Sequence, residues 1–135
     1  MKIFLIVLGV VIGAVIALWI ALRLRRAWKK RNHDPVEYYR GWGGYVHPIG
    51  LQHRITKEEA DAYHAEGSVY LIAYFDSAGN LMRVTKMLKG SVFFDYEYAY
   101  YPNDRLKSAK ISRGGRVTLQ EYEKRGRRVS GTVAF

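Results

Sequence analysis

Residues 3–22 read IFLIVLGVVIGAVIALWIAL, twenty positions without a charged side chain, and RLRRAWKKR follows at once. As an α-helix rising about 1.5 Å per residue, such a run reaches about 30 Å, the thickness of a bilayer's hydrocarbon layer. The pattern predicts one membrane-spanning helix with a basic collar. A cleavable signal would have a shorter apolar core and a small-residue cleavage site, so an uncleaved anchor is expected. Lys2 alone precedes the span, whereas Arg23, Arg25, Arg26, Lys29, Lys30 and Arg31 crowd its far side. The positive-inside rule therefore predicts an inner-membrane protein with its N-terminus outside and the rest in the cytoplasm. Trp19 and Trp28 bracket the inner boundary, where tryptophan favours the interface. The same collar and tryptophans are candidate contacts for anionic lipid headgroups.

Gly9, Gly13, Ala17 and Ala21 recur every four residues, which keeps them on one helix face. In lipid a small-residue face lets a second helix approach closely. The expected partners are other transmembrane helices, from a copy of this chain or from a membrane protein complex. No ionisable or amide side chain lies between residues 3 and 22. Ion paths and proton relays need such groups, so the span is read as an anchor and not as a conduit.

The remainder must be judged without the collar. Residues 1–31 hold seven of the 22 basic side chains and no acid, leaving fifteen basic against twelve acidic, a net +3. The high net charge of +10 is thus mainly a membrane flank, not a nucleic-acid signature. There is no cysteine, which excludes disulfides and thiolate chemistry.

Three segments are expected: the anchor at 1–31, a connector at 32–55 and a folded domain at 56–135. The connector holds two prolines, four glycines and scattered aromatics, so no long regular element is predicted there. Gly41-Trp-Gly-Gly44 reads as a turn. Tyr38, Tyr39, Trp42 and Tyr45 are too aromatic for a free linker and should pack on the domain or meet the membrane surface. Thr56-Lys-Glu-Glu59 is a capping box and Gly67 a C-terminal stop, predicting a helix over 57–66 with Ala60, Tyr63 and Ala62 or Ala65 on its buried side.

From residue 69 the period becomes two. Six runs follow, at 69–75, 81–89, 92–101, 105–112, 116–123 and 127–135, each bounded by turn residues. The fold class is therefore α+β: one N-terminal transmembrane helix, then a small antiparallel β-meander of five or six strands with one short helix. In the third run Val92, Phe94, Tyr96, Tyr98 and Tyr100 share one face, with Phe93, Asp95, Glu97, Ala99 and Tyr101 on the other. This is the expected central strand, its tyrosine hydroxyls near water or under the 57–66 helix.

Tyr74-Phe-Asp-Ser-Ala-Gly-Asn-Leu81 and Tyr100-Tyr-Pro-Asn-Asp-Arg-Leu106 repeat an aromatic, a turn and an extended run, and Tyr122-Glu-Lys-Arg-Gly-Arg127 is a weaker third copy. Residues 70–128 thus resemble YD-type (RHS-like) β-hairpin repeats, and that resemblance implies a scaffold and no catalytic mechanism. The second copy has Asn103-Asp104 where the repeat would place a glycine. The layout as a whole also resembles small single-span bacterial membrane proteins.

Candidate chemistry is sparse. His33, His47, His53 and His64 lack the paired spacing of a zinc site. Asp95 and Glu97 share a strand face, but cross-strand pairing with Lys86, Lys107 or Lys110 explains them better than acid–base work. No catalytic residue, metal or cofactor is expected. Residues 105–128 carry nine Lys or Arg against Glu121 and Glu123. Charge protecting a sheet edge, contact with a membrane or acidic partner, and nucleic-acid binding would all use this pattern; the mild basicity of the domain ranks nucleic acid last. Trp42, Tyr45, Lys107, Lys110, Arg113 and Arg116 are the candidate partner contacts. The expected role is a non-enzymatic accessory or scaffold subunit of a membrane protein complex, with an immunity- or antitoxin-like tethered binder and an anionic-lipid or nucleic-acid module as alternatives.

Overall fold

The computed structural model describes residues 1–31, 33–44, 46–129 and 133–134, with side chains in the first helix described as far as Arg25. Helix α1 runs Lys2–Arg31. Its Lys2–Arg25 stretch is long and apolar enough to cross a membrane, and none of it is buried within the chain. Residues His33–Phe135 form a separate compact unit.

That unit is one eight-stranded sheet, every neighbouring pair antiparallel, in the order β2-β1-β3-β4-β5-β6-β7-β8. The strands are β1 Val36–Gly43, β2 Gly50–Ile55, β3 Tyr70–Phe75, β4 Leu81–Leu88, β5 Ser91–Tyr100, β6 Leu106–Arg113, β7 Arg116–Glu121 and β8 Val133–Ala134. From β3 onward it is the expected meander. The strand count exceeds the expected five or six because the 32–55 segment, expected to be irregular, supplies β1 and β2. Gly41 and Gly43, expected in a turn, are strand residues of β1. Pairing of Val36–Tyr39 with Leu71–Tyr74 on one side and of β2 on the other outweighs the local glycine and proline signals.

The chain leaves β1 for the sheet edge at β2, and helix α2 (Lys57–Glu66) returns it to β1's other side, where β3 pairs. The α2 termini match the sequence. Thr56 accepts from the Glu59 amide, Glu59 reaches back to the Thr56 amide, and Gly67 closes the helix at φ 74°. Ala60 is buried, as expected, and Tyr63 half-buried, but Ala62 and Ala65 are both exposed, because this short helix meets the sheet along a narrow strip.

Two turns are tight because their central residues take positive φ: Lys89 and Gly90 between β4 and β5, and Gly114 and Gly115 between β6 and β7. Such two-residue turns match strand twist.

The core lies on one sheet face and contains Tyr39, Leu71, Ala73, Phe75, Val84, Phe94, Tyr96, Tyr98 and Ala109. The aromatic face of β5 is therefore the interior, as its alternation implies, apart from the exposed Val92. The 57–66 helix does not cover it. Helix α2 touches Tyr70 through His64 and Arg40 through Tyr63. Those strand residues alternate with core-facing Leu71 and Tyr39, so α2 lies on the opposite face. The β1–β2 loop closes the core instead. Ile49 is buried, its amide donates to the Tyr98 hydroxyl at 3.3 Å, and the His47 ring lies edge-on to Tyr96. Because β3 and β4 separate β1 from β5 in the sheet, these contacts require the β1–β2 end to curl over the sheet face.

Candidate docking site

Three polar–aromatic clusters stand out, and their chemistry differs. The first is built around Glu37, only 1% exposed. Its carboxylate accepts from the Tyr39 hydroxyl at 2.6 Å, His33 Nδ1 at 3.0 Å and the Asp34 amide at 3.2 Å, and pairs with Arg54 Nη1 at 3.1 Å. A carboxylate has about four acceptor positions, so this one is saturated. Burial pushes the Glu37 carboxyl up, but the Tyr39, His33 and Asp34 hydrogen bonds together outweigh it, and the net shift is downward. Burial and the Glu37 charge push the Tyr39 phenol well above its usual range. The ring of His33 stacks on Phe75 at 4.1 Å. A cleft of about 510 Å³ lies beside the cluster, between the start of β1, the end of β2 and the start of α2. With no free acceptor, Glu37 acts as a clamp joining the start of the unit to β1 and β2, while His33 itself rests on Phe75 of β3.

The second cluster is His47 and Tyr98. Burial, then the charge of Arg128, depresses the His47 imidazole and keeps it neutral. The Tyr98 hydroxyl can then donate to Nδ1 at 2.7 Å while accepting from the Ile49 amide. The Tyr98 hydroxyl, the Ile49 amide and His47 Nδ1 are thus partnered inside the fold.

The third cluster is open. Trp42 at the end of β1, Lys86 on β4, Phe93 and Phe94 on β5, and Arg113 at the end of β6 converge at one end of the sheet. The Lys86 ammonium lies 4.1 Å from the Trp42 ring centre, 4.4 Å from Phe93 and 5.9 Å from Phe94. The Arg113 guanidinium lies 5.2 Å from Phe93. Trp42 meets Phe94 edge-on at 5.5 Å, and Phe94 stacks on Tyr96 at 4.1 Å. Among the described residues no carboxylate lies within ion-pair distance of Lys86, Arg113 or Arg116. Burial, then the nearby Arg113, pushes the Lys86 ammonium below its ordinary value. Trp42 and Phe93 are each 37% exposed, and Val92 is 58% exposed.

A β-bulge creates this site. Lys86 pairs with Phe94 but Met87 pairs with Val92, leaving Phe93 as the extra residue. A bulge re-aims the side chain it carries. Phe93, expected on the face of Asp95 and Glu97, instead shares Lys86 with Phe94.

The candidate contacts inferred from sequence are dispersed differently. Trp42 and Arg113 meet in this cluster, and Arg116 pairs with Arg113 across the β6–β7 turn. Lys110 points to the other face, 3.7 Å from Glu97, and Lys107 lies 5.9 Å from the Tyr101 ring. Tyr45 and the side chains of Arg26, Trp28, Lys29, Lys30 and Arg31 lie outside the described residues. Arg23 stacks over Trp19 at 4.6 Å, and Arg25 is exposed. Gly9 and Gly13 have nothing within 4 Å of where a Cβ would sit, so this part of the row with Ala17 and Ala21 is uncovered.

Asp95 does not pair with a lysine. It takes a bidentate bond from Arg83 at 2.7 and 2.8 Å and a third from Thr85 at 2.9 Å. Burial pushes its carboxyl up, but the Arg83 and Thr85 hydrogen bonds and charges bring the net shift down. Lys86 was open to recognition from the alternation of β4, which puts it on the same face as Val84. The bulge carries no comparable sequence signal.

Fold and site define an α+β protein: a long apolar helix followed by an eight-stranded antiparallel sheet with an aromatic–basic end. The model of DUF6156, a family of unknown function, matches residues 31–131, and the chain belongs to that family. The match takes in every strand from β1 to β7. No curated protein and no solved structure matches the chain.

Proposed function

We propose that this protein is a non-enzymatic docking subunit tethered to the bacterial inner membrane. In this reading α1 spans the bilayer with the N-terminus outside. It packs through Gly9, Gly13, Ala17 and Ala21 against helices of a membrane assembly, and the cytoplasmic sheet engages an anionic surface. The observation that carries the reading is the aromatic–basic end. Among the described residues Lys86 and Arg113 sit on exposed rings without a carboxylate, whereas Glu37 and Asp95 elsewhere in the sheet are fully paired. Cations left unpaired beside exposed aromatic rings are the usual make-up of a recognition surface. The basic collar after the span supports the orientation, and the uncovered small-residue row supports helix packing.

The test is mild-detergent purification of the full chain from native membranes. Replacing Gly9 and Gly13 with Leu should leave insertion intact and reduce co-purifying membrane protein severalfold. Unchanged co-purification would remove the helix-packing role. A C-terminal reporter active only outside the cytoplasm would reverse the orientation.

A further inference from the structure

Resting on that docking reading, we infer that the anionic surface engaged by Trp42, Lys86, Phe93 and Arg113 is the phospholipid leaflet of the chain's own membrane. Three observations favour lipid over a protein groove. The exposed apolar side chains Val92 and Phe93 come one residue after the Lys89–Gly90 turn, so they lie near a hairpin tip. A tip can enter the headgroup layer without the concave partner a protein surface would need. The cations ring these side chains: Lys86 and Arg113 lie 4.4 and 5.2 Å from the Phe93 ring. Phosphate oxygens above them would supply the missing counter-charge while the rings sink to the level that indole and phenyl groups favour. Finally, only residues 32–35 separate the last residue of α1 from β1. Those few residues span at most about 18 Å even fully extended, and although Trp42 lies at the far end of β1 from this junction, a spanning α1 confines the sheet to the neighbourhood of the bilayer at high effective concentration.

The inference also gives the weak net charge of the domain a meaning. Its net charge is only +3, but Lys86, Arg113 and Arg116 gather cations at one end. Each cation held near an anionic leaflet adds about a fivefold factor to partitioning.

The experiment uses the full chain in nanodiscs, with Trp19→Phe and Trp28→Phe so that Trp42 is the single tryptophan. Discs of phosphatidylcholine alone are compared with discs containing about a third phosphatidylglycerol, the mixture that supplies the leaflet charge. In anionic discs Trp42 emission should shift to the blue and be quenched by lipids brominated near the headgroup. High salt should reverse both changes. Lys86→Gln with Arg113→Gln should lower the docked-to-free ratio about twenty-fivefold. Lys86→Arg should keep it, and unchanged near-UV circular dichroism certifies the fold of each variant. Equal quenching in neutral and anionic discs, or quenching indifferent to the double variant, overturns the inference.

A photo-crosslinker at Val92 separates the two levels of the argument. Capture of a protein in native membranes, with Trp42 still water-exposed in anionic discs, overturns the lipid assignment and leaves the docking reading standing. Loss of lipid quenching together with no crosslink to protein overturns both. Displacement of quenching by single-stranded nucleic acid at physiological salt likewise rejects the leaflet as occupant.

Discussion

Glu37 and Lys86 are both charged residues set among aromatic rings in the same sheet, yet they are handled in opposite ways. Glu37 is sealed in, with four partners spent on one carboxylate. Lys86 is half-buried, lies over the rings of Trp42 and Phe93, and has another cation, Arg113, as its neighbour. A buried ion that loses one partner is destabilising, because the remaining partners keep their desolvation cost. A cation resting on rings loses little when removed, because cation–π contacts near a surface are weak. The difference teaches where to look for function: saturation marks a clamp, and an uncompensated charge beside exposed apolar surface marks something awaiting a partner.

The largest effect should come from the clamp. Glu37→Leu leaves Tyr39, His33 and Arg54 facing an apolar side chain and should cost about 3 kcal/mol of stability, read from urea unfolding in mild detergent. Acid should mimic this in part. Because the folded carboxyl titrates below the ordinary glutamate value of 4.5, its contribution is complete above that value. It is lost as pH falls through the lower folded value. An acid unfolding midpoint unmoved by the substitution would refute the clamp.

Of intermediate size is Tyr98→Phe, which strips the Ile49 amide and His47 of their shared hydroxyl and should cost about 1–2 kcal/mol. His47 also sets a pH dependence at milder acidity. Its folded imidazole titrates below the ordinary value of 6.5, so stability should decline as pH falls below that point. A wild-type stability flat between neutrality and the carboxylate range would contradict this placement of His47.

Lys86→Met should do least to the fold, changing stability by less than about 1 kcal/mol in either direction, while lowering the docked-to-free ratio about fivefold. A loss as large as that of Glu37→Leu would erase the contrast between the two clusters and make Lys86 structural.

Much of the architecture was legible because it is written in short-range signals. The apolar run of α1, the Thr56–Glu59 box and the turns at Gly79 and Gly115 act within a few residues. The alternation of β5 likewise identified Phe94, Tyr96 and Tyr98 as core. The site was only half legible. Trp42 and Arg113 drew attention by residue type, but Lys107 and Lys110 drew it equally and point elsewhere. Phe93 was assigned to the wrong face because simple alternation has no place for an extra residue.

Residue order by itself determined the membrane-length helix, the capped α2 and a meander of alternating strands, since each follows from backbone hydrogen bonding and side-chain period over one or two turns of chain. Tertiary structure alone decided that the glycine-rich 36–55 segment pairs as β1 and β2, that its loop curls over β5, and that a bulge turns Phe93 toward Lys86. Those outcomes depend on register between strands dozens of residues apart, where the free energy of pairing and burial is collected from both partners at once and neither sequence carries it alone.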